Sequence, residues 1–373
     1  MLANLALGVG TLVVALLLCE GVLRVFPRLL PLGYYGASRF DPELGGSVHS
    51  ARGIYNKARF VMRDPNAEGF MDVDHERAKP AGVLRVGFFG DSFVEAVQVP
   101  FEQVFYRLLP ARIAGHPLEP FGFGISGWGT LHSLIAYQAK AKAYDLDAAI
   151  YVFVENDLGD NLLDVKGARW GSSNSTFADL SPLPPGFTVL QRTPLEQQGT
   201  GWRFAKRVQQ RSLLARLVWS RVALLIGHGT TLRAAPEQAA MTTRAGPLPD
   251  QNDLPSSWPE SYRQRAEELG RRILHEWRER AHADGRYLAV LYVPRSEAQL
   301  RGELAASDTW LPWLEATTRE LNLPLIDPSP ALERRLERGD SVYEDHWTPA
   351  GHEVIASVLE QHLADWISTG ARS

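Results

Sequence analysis

Short apolar runs alternate with stretches of helical periodicity along most of this chain, and this alternation limits the folds that it can adopt. Strand-like runs lie at 83–89, 121–125 and 148–154. Between them, segments near 101–115 and 130–145 carry apolar residues at helical spacing. The third run, AAIYVFV, is apolar throughout, which is typical of a strand buried on both faces. Strand–helix–strand–helix–strand order predicts a parallel sheet with helices packed on its faces.

The alternation stops within 161–258, a region with Pro- and Gly-rich stretches. We expect one helix there, near 202–226, and a flexible loop at 229–257. We interpret the region as an insertion into, or a cap on, a main domain that spans 81–373. No internal repeat is visible.

The pattern of strands and helices resumes after this insertion. It predicts helices near 260–284, 306–321 and 351–367, and strands at 287–293 and 323–327. The chain has 373 residues, of which 45% are apolar, so it is long enough and apolar enough for a substantial core. The expected fold class is α/β.

The N-terminal segment differs from the rest in having almost no charge. Residues 2–19 form an uncharged run of 18 residues, just long enough for a membrane-spanning helix. The segment 1–28 is predicted to be a transmembrane anchor or a signal segment, and the lack of a small-x-small cleavage site favours the anchor. Arg24 and Arg28 follow the run, and by the positive-inside rule they favour a cytoplasmic main domain. Residues 29–80 are expected to form an irregular lead-in from the membrane.

Composition excludes several classes of function. The net charge is −4, so the chain lacks the general basic character of a nucleic-acid-binding protein. The one cysteine, Cys19, allows neither a disulfide framework nor a cysteine metal site. The histidines show no metal-ligand spacing. We therefore expect no metal, no cofactor and no nucleic-acid partner.

Polar residues follow three consecutive strands of the predicted sheet. Gly90-Asp91-Ser92 follows the first strand, GISGWG at 124–129 follows the second, and Glu155-Asn156-Asp157 follows the third. Sites in open parallel sheets form beyond the carboxyl ends of the strands, so these three loops are expected to converge. They would bring together a hydroxyl group, a glycine turn and a side-chain amide.

These groups suit the cleavage or transfer of an ester, which needs a nucleophile, a base and donors for the oxyanion. Ser92 can be the nucleophile. Its own backbone N–H, that of Gly127 and the amide of Asn156 can be the oxyanion donors. The C-terminal segment YEDHWTPAGH offers His346 as the base.

A carboxylate beside His346 would orient the imidazole ring and stabilise its charged form. Glu344 and Asp345 both precede the histidine. Residues two apart in an extended loop point the same way, so the side chains of Glu344 and His346 would be collinear rather than in contact. We prefer Asp345, and Glu344 stays open.

The segments FFGDSF, GISGWGT, VEND and EDHWTPAGH resemble, in order and spacing, the four blocks of the SGNH (GDSL) hydrolases. The resemblance covers about 83–160 and 287–367. It implies a flavodoxin-like three-layer sandwich and an esterase or lipase activity. Val154 stands where the third block usually has a glycine, and the GxSxG elbow of the α/β-hydrolases is absent.

The resemblance also implies roles for individual residues. Ser92 would be the nucleophile, with Gly127 and Asn156 as its oxyanion partners. His346 would be the base, with Asp345 or another neighbouring acid to orient it.

The function expected from these features is a membrane-anchored serine esterase that hydrolyses or transfers an O-acyl group, with acetyl the expected group, on a glycan. The resemblance to anchored members of the family places the catalytic domain on the exported, periplasmic side, against the charge argument. The partners would be an acylated small molecule or glycan, together with the membrane. Two alternatives remain: a lipase or thioesterase acting on longer acyl chains at the membrane, and an inactive glycan-binding assembly protein.

We expect several other residues to be structural. Asp91 would bond the loop backbone, and Asp157 and Asn161 would cap the following helix or line the rim of the cleft. His352 would be a structural residue of the last helix. A basic amphipathic stretch near 203–221 is expected to be a cap helix packed on the core, with a membrane-surface helix as the alternative.

Overall fold

The structure is a computed structural model, and it describes residues 2–31, 35–51, 53–55, 60–61, 63–166, 176–191, 200–230 and 249–370. In chain order its strands are β1 Ala37–Asp41, β2 Gly46–Ala51, β3 Ile54–Tyr55, β4 Phe60–Val61, β5 Leu84–Gly90, β6 Arg112–Ile113, β7 His116–Gly124, β8 Ala148–Phe153, β9 Thr176–Leu180, β10 Phe187–Gln191, β11 Tyr287–Tyr292 and β12 Leu325–Ile326.

Its α-helices are α1 Leu2–Val25, α2 Ser92–Glu95, α3 Phe105–Leu108, α4 Thr130–Lys140, α5 Asp157–Asp160, α6 Leu163–Lys166, α7 Thr200–Arg211, α8 Leu213–Thr230, α9 Glu260–Ala283, α10 Glu297–Leu300, α11 Leu311–Glu320, α12 Ser329–Glu337 and α13 Pro349–Thr369.

The largest sheet within these residues has the strand order β12-β11-β8-β5-β7-β6. β12, β11, β8, β5 and β7 run parallel, and β6 is an antiparallel edge strand on β7. Numbered along the chain, the parallel strands lie in the order 2-1-3-4-5 when read from β7, which is the flavodoxin-like order. The predicted α/β fold class is confirmed.

Helices cover both faces of this sheet, which gives three layers. On one face α4 and α9 pack against the sheet, with Tyr151 and Trp277 in their shared core. On the other face α13 and α3 pack against it, with Val152 and Leu359 in the core. β8 is buried along its whole length, as its unbroken apolar sequence predicts.

The helix predicted over 101–115 is wrong for most of that range. The chain forms a 3₁₀ turn at 101–103 and the single-turn helix α3, and then enters the β6–β7 hairpin. Pro110 has no backbone N–H to donate, so a helix cannot continue through it, although the helical spacing of apolar residues does. Ala114 and Gly115 both have positive φ, of 47° and 84°, and form the two-residue turn of the hairpin.

Other element predictions differ in their bounds. The helix expected near 202–226 is two helices, α7 and α8, because Ser212 interrupts the run and its hydroxyl accepts the N–H of Ala215 at 3.0 Å. The helix expected near 306–321 starts as α11, after a separate 3₁₀ turn. In the loop expected at 229–257, residues 231–248 lie outside the described part of the chain.

The lead-in at 29–80 is not irregular throughout, because it contains the β1–β2 hairpin and packs on the main domain. Asp72 accepts the backbone N–H of Gly122 in β7 at 2.7 Å. The ring of His75 stacks on Phe121, also in β7, with their centroids 3.8 Å apart. The turn-forming composition of the segment concealed these tertiary contacts.

The insertion adds a second hairpin to the outside of the domain. β9 and β10 pair antiparallel and pack against α9. Arg272 of α9 donates to the carbonyls of Ser181 and Gly186, at 2.9 and 2.6 Å. The described parts of the insertion are therefore attached to the α/β core.

Helix α1 stands apart from the core. Its segment Asn4–Val25 contains an 18-residue window with a mean hydropathy of 2.2, none of which is buried, so it is long and apolar enough to cross a membrane. Its acidic residue, Glu20, accepts the backbone N–H groups of Leu213 and Leu214 at 3.1 and 2.9 Å. Glu20 therefore caps the N-terminus of α8 and joins α1 to the insertion.

Candidate active site

Ser92 is placed at the sheet edge by a tight strand-to-helix turn. β5 ends at Gly90, and Asp91 caps α2 by accepting the N–H of Phe93 at 3.0 Å. A Cβ on Gly90 would lie 2.8 Å from the side chain of Val94, so the turn has no room for a larger residue there. Ser92 is the first residue of α2 and lies at the carboxyl end of the central strand.

His346 reaches Ser92 from the loop before the last helix. Its Nε2 lies 2.7 Å from the Ser92 Oγ, which is hydrogen-bond distance. Its ring packs on Phe93, with the two centroids 4.7 Å apart. The ring of Phe93 also packs edge-on against the buried Trp347. Packing on Phe93 therefore holds both His346 and the residue that follows it.

A carboxylate anchors this loop from another element. Glu297, the first residue of α10, accepts the backbone N–H groups of Val342 and Tyr343 at 3.0 and 3.2 Å, and the hydroxyl of Ser341 at 2.8 Å. Burial raises the pKa of Glu297, but these hydrogen bonds outweigh it and leave the pKa below its usual value. Glu297 therefore stays ionised and holds the loop near neutral pH.

Asp345 and Glu344 differ in their contacts with His346. The Oδ1 of Asp345 lies 3.8 Å from the Nδ1 of His346, which is beyond hydrogen-bond distance, and the Asp345 side chain is 48% exposed. Glu344 is exposed, and its backbone N–H donates to the His346 carbonyl at 2.9 Å. The Asp345 carboxylate has to move closer to serve as the orienting acid.

Gly127 and Asn156 line the same cleft as Ser92 and His346, and this cleft has a volume of about 360 Å³. Gly127 lies in a turn with a φ of +81°, a conformation that favours glycine. The amide of Asn156 donates to Asp160 at 3.0 Å and lies 3.4 Å from an oxygen of Asp91. The structure thus brings the three sequence-predicted loops together around one space.

Buried carboxyl groups lie behind the nucleophile. Burial raises the pKa of Asp91 to about 7, and the charge of Asp160 adds to this effect. Burial and the charge of Asp91 raise the pKa of Asp157 well above its usual value. Lys166 compensates part of this charge through its contact with Asp160, at 2.8 Å.

The residues expected to be structural have such contacts. Asp157 accepts the Tyr151 hydroxyl at 2.6 Å and fixes the loop after β8. Asn161 accepts the N–H of Leu131 at 2.9 Å, so it holds the start of α4 rather than its own helix. His352 is buried and its Nδ1 accepts the N–H of Phe105 at 3.2 Å, while burial lowers its pKa to about 3.

Sequence reasoning missed part of the cleft wall. Glu155 accepts the hydroxyl of Tyr292 at 2.7 Å and the N–H of Trp310 at 2.9 Å, and burial raises its pKa to about 7. Polar side chains from segments outside the four blocks complete the rim, namely Gln251, Asn252 and Arg295, together with Tyr343 at the start of the YEDHWTPAGH segment. The position of Glu155 directly after a strand was the signal available for it, whereas Gln251, Asn252 and Arg295 carry no local motif.

Among the residues that the structure describes, no cluster of His, Cys, Asp and Glu is arranged to hold a metal ion. The sheet has the flavodoxin-like strand order, and the four sequence blocks meet at its carboxyl edge, where Ser92 and His346 form a pair.

No protein-family model and no curated protein matches the sequence. Among solved structures the chain is similar to an acetyl xylan esterase, with 10% identity, coverage of 75% of this chain and 100% of that chain, and a TM-score of 0.39. It is also similar to a GDSL-like lipase from Bacteroides thetaiotaomicron, with 10% identity, coverage of 75% and 88%, and a TM-score of 0.36. A third is a lipase/acylhydrolase from Enterococcus faecalis, with 11% identity, coverage of 76% and 96%, and a TM-score of 0.37.

Proposed function

We propose that the protein is a serine esterase that removes or transfers an O-acyl group, in particular an acetyl group, on a glycan. The observation that carries the proposal is the 2.7 Å contact between the Ser92 Oγ and the His346 Nε2. A serine hydroxyl is a weak nucleophile on its own, and a histidine at this distance can take its proton as the bond to carbon forms.

The reaction follows from this pair. The His346 Nε2 takes the Oγ proton while Oγ attacks the ester carbonyl, and the tetrahedral oxyanion is held by the N–H groups of Ser92 and Gly127 and the amide of Asn156. Collapse of this intermediate expels the alcohol, which receives the proton from His346, and leaves an acyl group on Ser92. Water or an acceptor hydroxyl then gives its proton to His346 and attacks the acyl carbon. Collapse of this second intermediate breaks the bond between the acyl carbon and Oγ, and Oγ takes the proton back from His346. Asp345 would stabilise the imidazolium.

The cleft rim supports the choice of a polyhydroxylated substrate. Gln251, Asn252 and Arg295 offer amide and guanidinium groups that can form hydrogen bonds with sugar hydroxyls, and Tyr343 offers an aromatic ring. Small-molecule sites combine such a few polar groups with apolar walls. The acetyl group is the part of the proposal that depends on the resemblance to the SGNH family.

Location is part of the same proposal. Helix α1 would anchor the protein in a membrane, with the catalytic domain on the periplasmic side, where exported glycans are found. Protease treatment of spheroplasts tests this placement, since degradation of the domain requires that it lie outside the inner membrane. A protected domain that is degraded after lysis would place it in the cytoplasm instead.

A second cavity favours one alternative. This space of about 400 Å³ also touches His346. Its apolar lining comes from Ala37, Val48, Val97 and Ile125, and polar residues that include His49 and Glu95 line it as well. An acyl chain longer than acetyl would fit such a lining. The alternative is a lipase or thioesterase acting at the membrane.

Hydrolysis of p-nitrophenyl acetate, butyrate and octanoate by the full chain in detergent tests these functions, with Ser92→Ala as the control. We expect turnover of the acetate ester that the variant loses. A preference for octanoate would favour the lipase or thioesterase. Absence of Ser92-dependent turnover with these esters and with an acetylated polysaccharide would favour an inactive binding protein.

A further inference from the structure

Glu95 is a buried carboxylate that connects three parts of the chain near the nucleophile. It is the last residue of α2, which begins with Ser92, and it is 5% exposed. Its Oε1 contacts the Nε2 of His49, on the β1–β2 hairpin. Its Oε2 accepts both the hydroxyl and, at 3.2 Å, the backbone N–H of Ser126. Burial of a carboxylate is unfavourable without such partners. The contacts with His49 and Ser126 are therefore what allows Glu95 to be buried here.

Ser126 belongs to the turn that carries the second oxyanion donor. The N–H of Trp128 donates to the carbonyl of Ile125 at 3.0 Å, which closes a four-residue turn. Gly127, the third residue of that turn, has a φ of +81°. This value is typical of a type II turn, in which the third residue has a φ near +80°.

The turn type decides where the Gly127 N–H points. The central peptide of this turn joins Ser126 to Gly127. Its N–H is that of Gly127, which we proposed above as an oxyanion donor. Type I and type II turns differ chiefly in the ψ of the second residue, near −30° in one and +120° in the other, which reverses the central peptide plane. A change of turn type would therefore turn this N–H away from its present direction.

We propose that Glu95 is a positioning residue that keeps the Ser126–Gly127 peptide in its type II orientation and so aims the Gly127 N–H into the Ser92 cleft. It holds Ser126 at two atoms, and His49 holds its other oxygen. Glu95 also lies on the helix that begins with Ser92. Its side chain therefore connects the helix of the nucleophile to the turn that carries an oxyanion donor. This inference rests on the proposed ester chemistry.

The first test is Glu95→Gln in the full chain, with Glu102→Gln as the control because Glu102 is an exposed carboxylate shortly after it in the chain. Loss of one oxyanion donor lowers kcat by roughly 10²–10³ in a serine hydrolase. We expect a decrease in kcat of about tenfold to 10²-fold, with KM changed less than about twofold, because the donor is misdirected rather than deleted. The glutamine keeps one oxygen that can still accept from Ser126, so Glu95→Ala, which removes both oxygens, is measured beside it and should lower kcat at least as far. An unchanged kcat in Glu95→Ala would overturn the proposal.

A second readout separates positioning from general disorder. The sulfur of a thionoester accepts hydrogen bonds poorly, so its hydrolysis depends less on the oxyanion donors than that of the oxygen ester. In Glu95→Gln we expect the rate for p-nitrophenyl acetate to fall more than the rate for p-nitrophenyl thionoacetate. Equal decreases would indicate a merely structural role and would overturn the proposal.

The third test is rescue of the turn by a different residue. Proline at the second position of a type II turn fixes the required φ, and its missing N–H is the one that Glu95 accepts. Ser126→Pro in the Glu95→Gln background should therefore recover at least about fivefold in kcat. A double variant with the melting temperature of Glu95→Gln and no recovery would overturn the proposal.

Reaction of Ser92 with an alkyl fluorophosphonate makes the two proposals distinguishable. The phosphonyl oxygen uses the same donors, and the reaction needs no ester turnover. Wild-type phosphonylation without ester hydrolysis would contradict the proposed function, and the Glu95→Gln rate would still decide this inference. A wild-type protein that does not react at Ser92 would overturn both.

Discussion

Asp91 lies between the nucleophile and the buried acids behind it. Its Oδ1 caps α2, and its Oδ2 lies 3.4 Å from both the Ser92 Oγ and the Asn156 amide nitrogen. Burial raises its pKa to about 7, whereas an aspartate in an unfolded chain has a pKa of about 4. Between these two values the folded protein holds a proton that the unfolded chain releases.

This difference in proton binding predicts a pH dependence of stability. Since the folded state binds more protons between about pH 4 and 7, the contribution of Asp91 to the free energy of unfolding decreases as pH rises through that range. Asp91→Asn removes the titration and keeps an oxygen that can cap α2. We expect the wild-type melting temperature to fall between pH 5 and 8 by a few degrees more than that of the variant, measured by circular dichroism in matched buffers. Parallel curves would contradict the assignment.

The choice between the two acids beside His346 is a second prediction at the residue scale. Asp345 lies 3.8 Å from the imidazole Nδ1, and Glu344 is directed to solvent. Asp345→Asn should lower kcat by about 10²-fold or more, because the imidazolium loses its stabilising charge. Glu344→Gln should change kcat less than about threefold. Initial rates with p-nitrophenyl acetate decide it, and the reverse ranking would assign the role to Glu344.

Residue-level prediction from the sequence worked where strand ends fix positions. Ser92, Gly127 and Asn156 follow strands of one parallel sheet, so their convergence could be inferred from the alternation of elements alone. Glu95 could not be identified, because its partners His49 and Ser126 are 46 and 31 residues away in the chain. Contacts of this kind depend on tertiary packing and leave no periodic signal in the sequence.

At the scale of the elements, the close contact between β7 and α2 sets the position of the nucleophile. A Cβ on Gly124, the last residue of β7, would lie 2.7 Å from the backbone nitrogen of Glu95 and 2.8 Å from the carbonyl oxygen of Asp91. Real Cβ atoms do not come this close to backbone atoms, so an alanine would push α2 away from the sheet.

Gly124→Ala should therefore reduce both stability and activity. We expect a loss of about 1–3 kcal/mol in the free energy of unfolding by urea titration, together with a lower kcat. Gly201→Ala is the matched control, because a Cβ there meets no atom within 4 Å. Wild-type stability in Gly124→Ala would show that the two elements are not in close contact.

The elements that were mispredicted have two different physical causes. The spacing of apolar residues over 101–115 fits a helix, but Pro110 and the Ala114-Gly115 turn override it. The β1–β2 hairpin was missed for the opposite reason, since its strands have no regular alternation and depend on packing against the domain. The unbroken apolar run predicted β8 and the helical periodicity predicted α4, because in both elements propensity and packing agree.

At the scale of the whole molecule, Glu20 connects the apolar helix α1 to the start of α8 in the insertion. Its carboxylate accepts the N–H groups of Leu213 and Leu214 and the hydroxyl of Ser212, at 2.8–3.1 Å. Two orphan N–H groups at the start of α8, and the hydroxyl of the residue before them, thus donate to one side chain from α1.

Glu20→Ala should loosen α7 and α8 without disturbing the catalytic core. Loss of a cap of this kind destabilises a helix by about 1 kcal/mol. We expect faster trypsin cleavage after Arg207 and Arg211, followed by mass spectrometry of the full chain in detergent, with unchanged ester hydrolysis. Glu102→Ala serves as the control. Equal cleavage rates in the two variants would show that the α1–α8 contact does not hold the helices.

The packed lead-in limits the reach of the enzyme. A flexible tether of about 50 residues would have a root-mean-square extension of about 40 Å, and a catalytic domain on such a tether could sample a broad zone beside the bilayer. Here Asp72 and His75 attach the lead-in to β7, and Glu20 attaches α1 to α8. If α1 spans a membrane, the Ser92 cleft stays at a nearly constant height above it. If the proposed glycan esterase activity holds, a polymeric substrate would be modified only as it passes that height, whereas chains farther from the surface would escape.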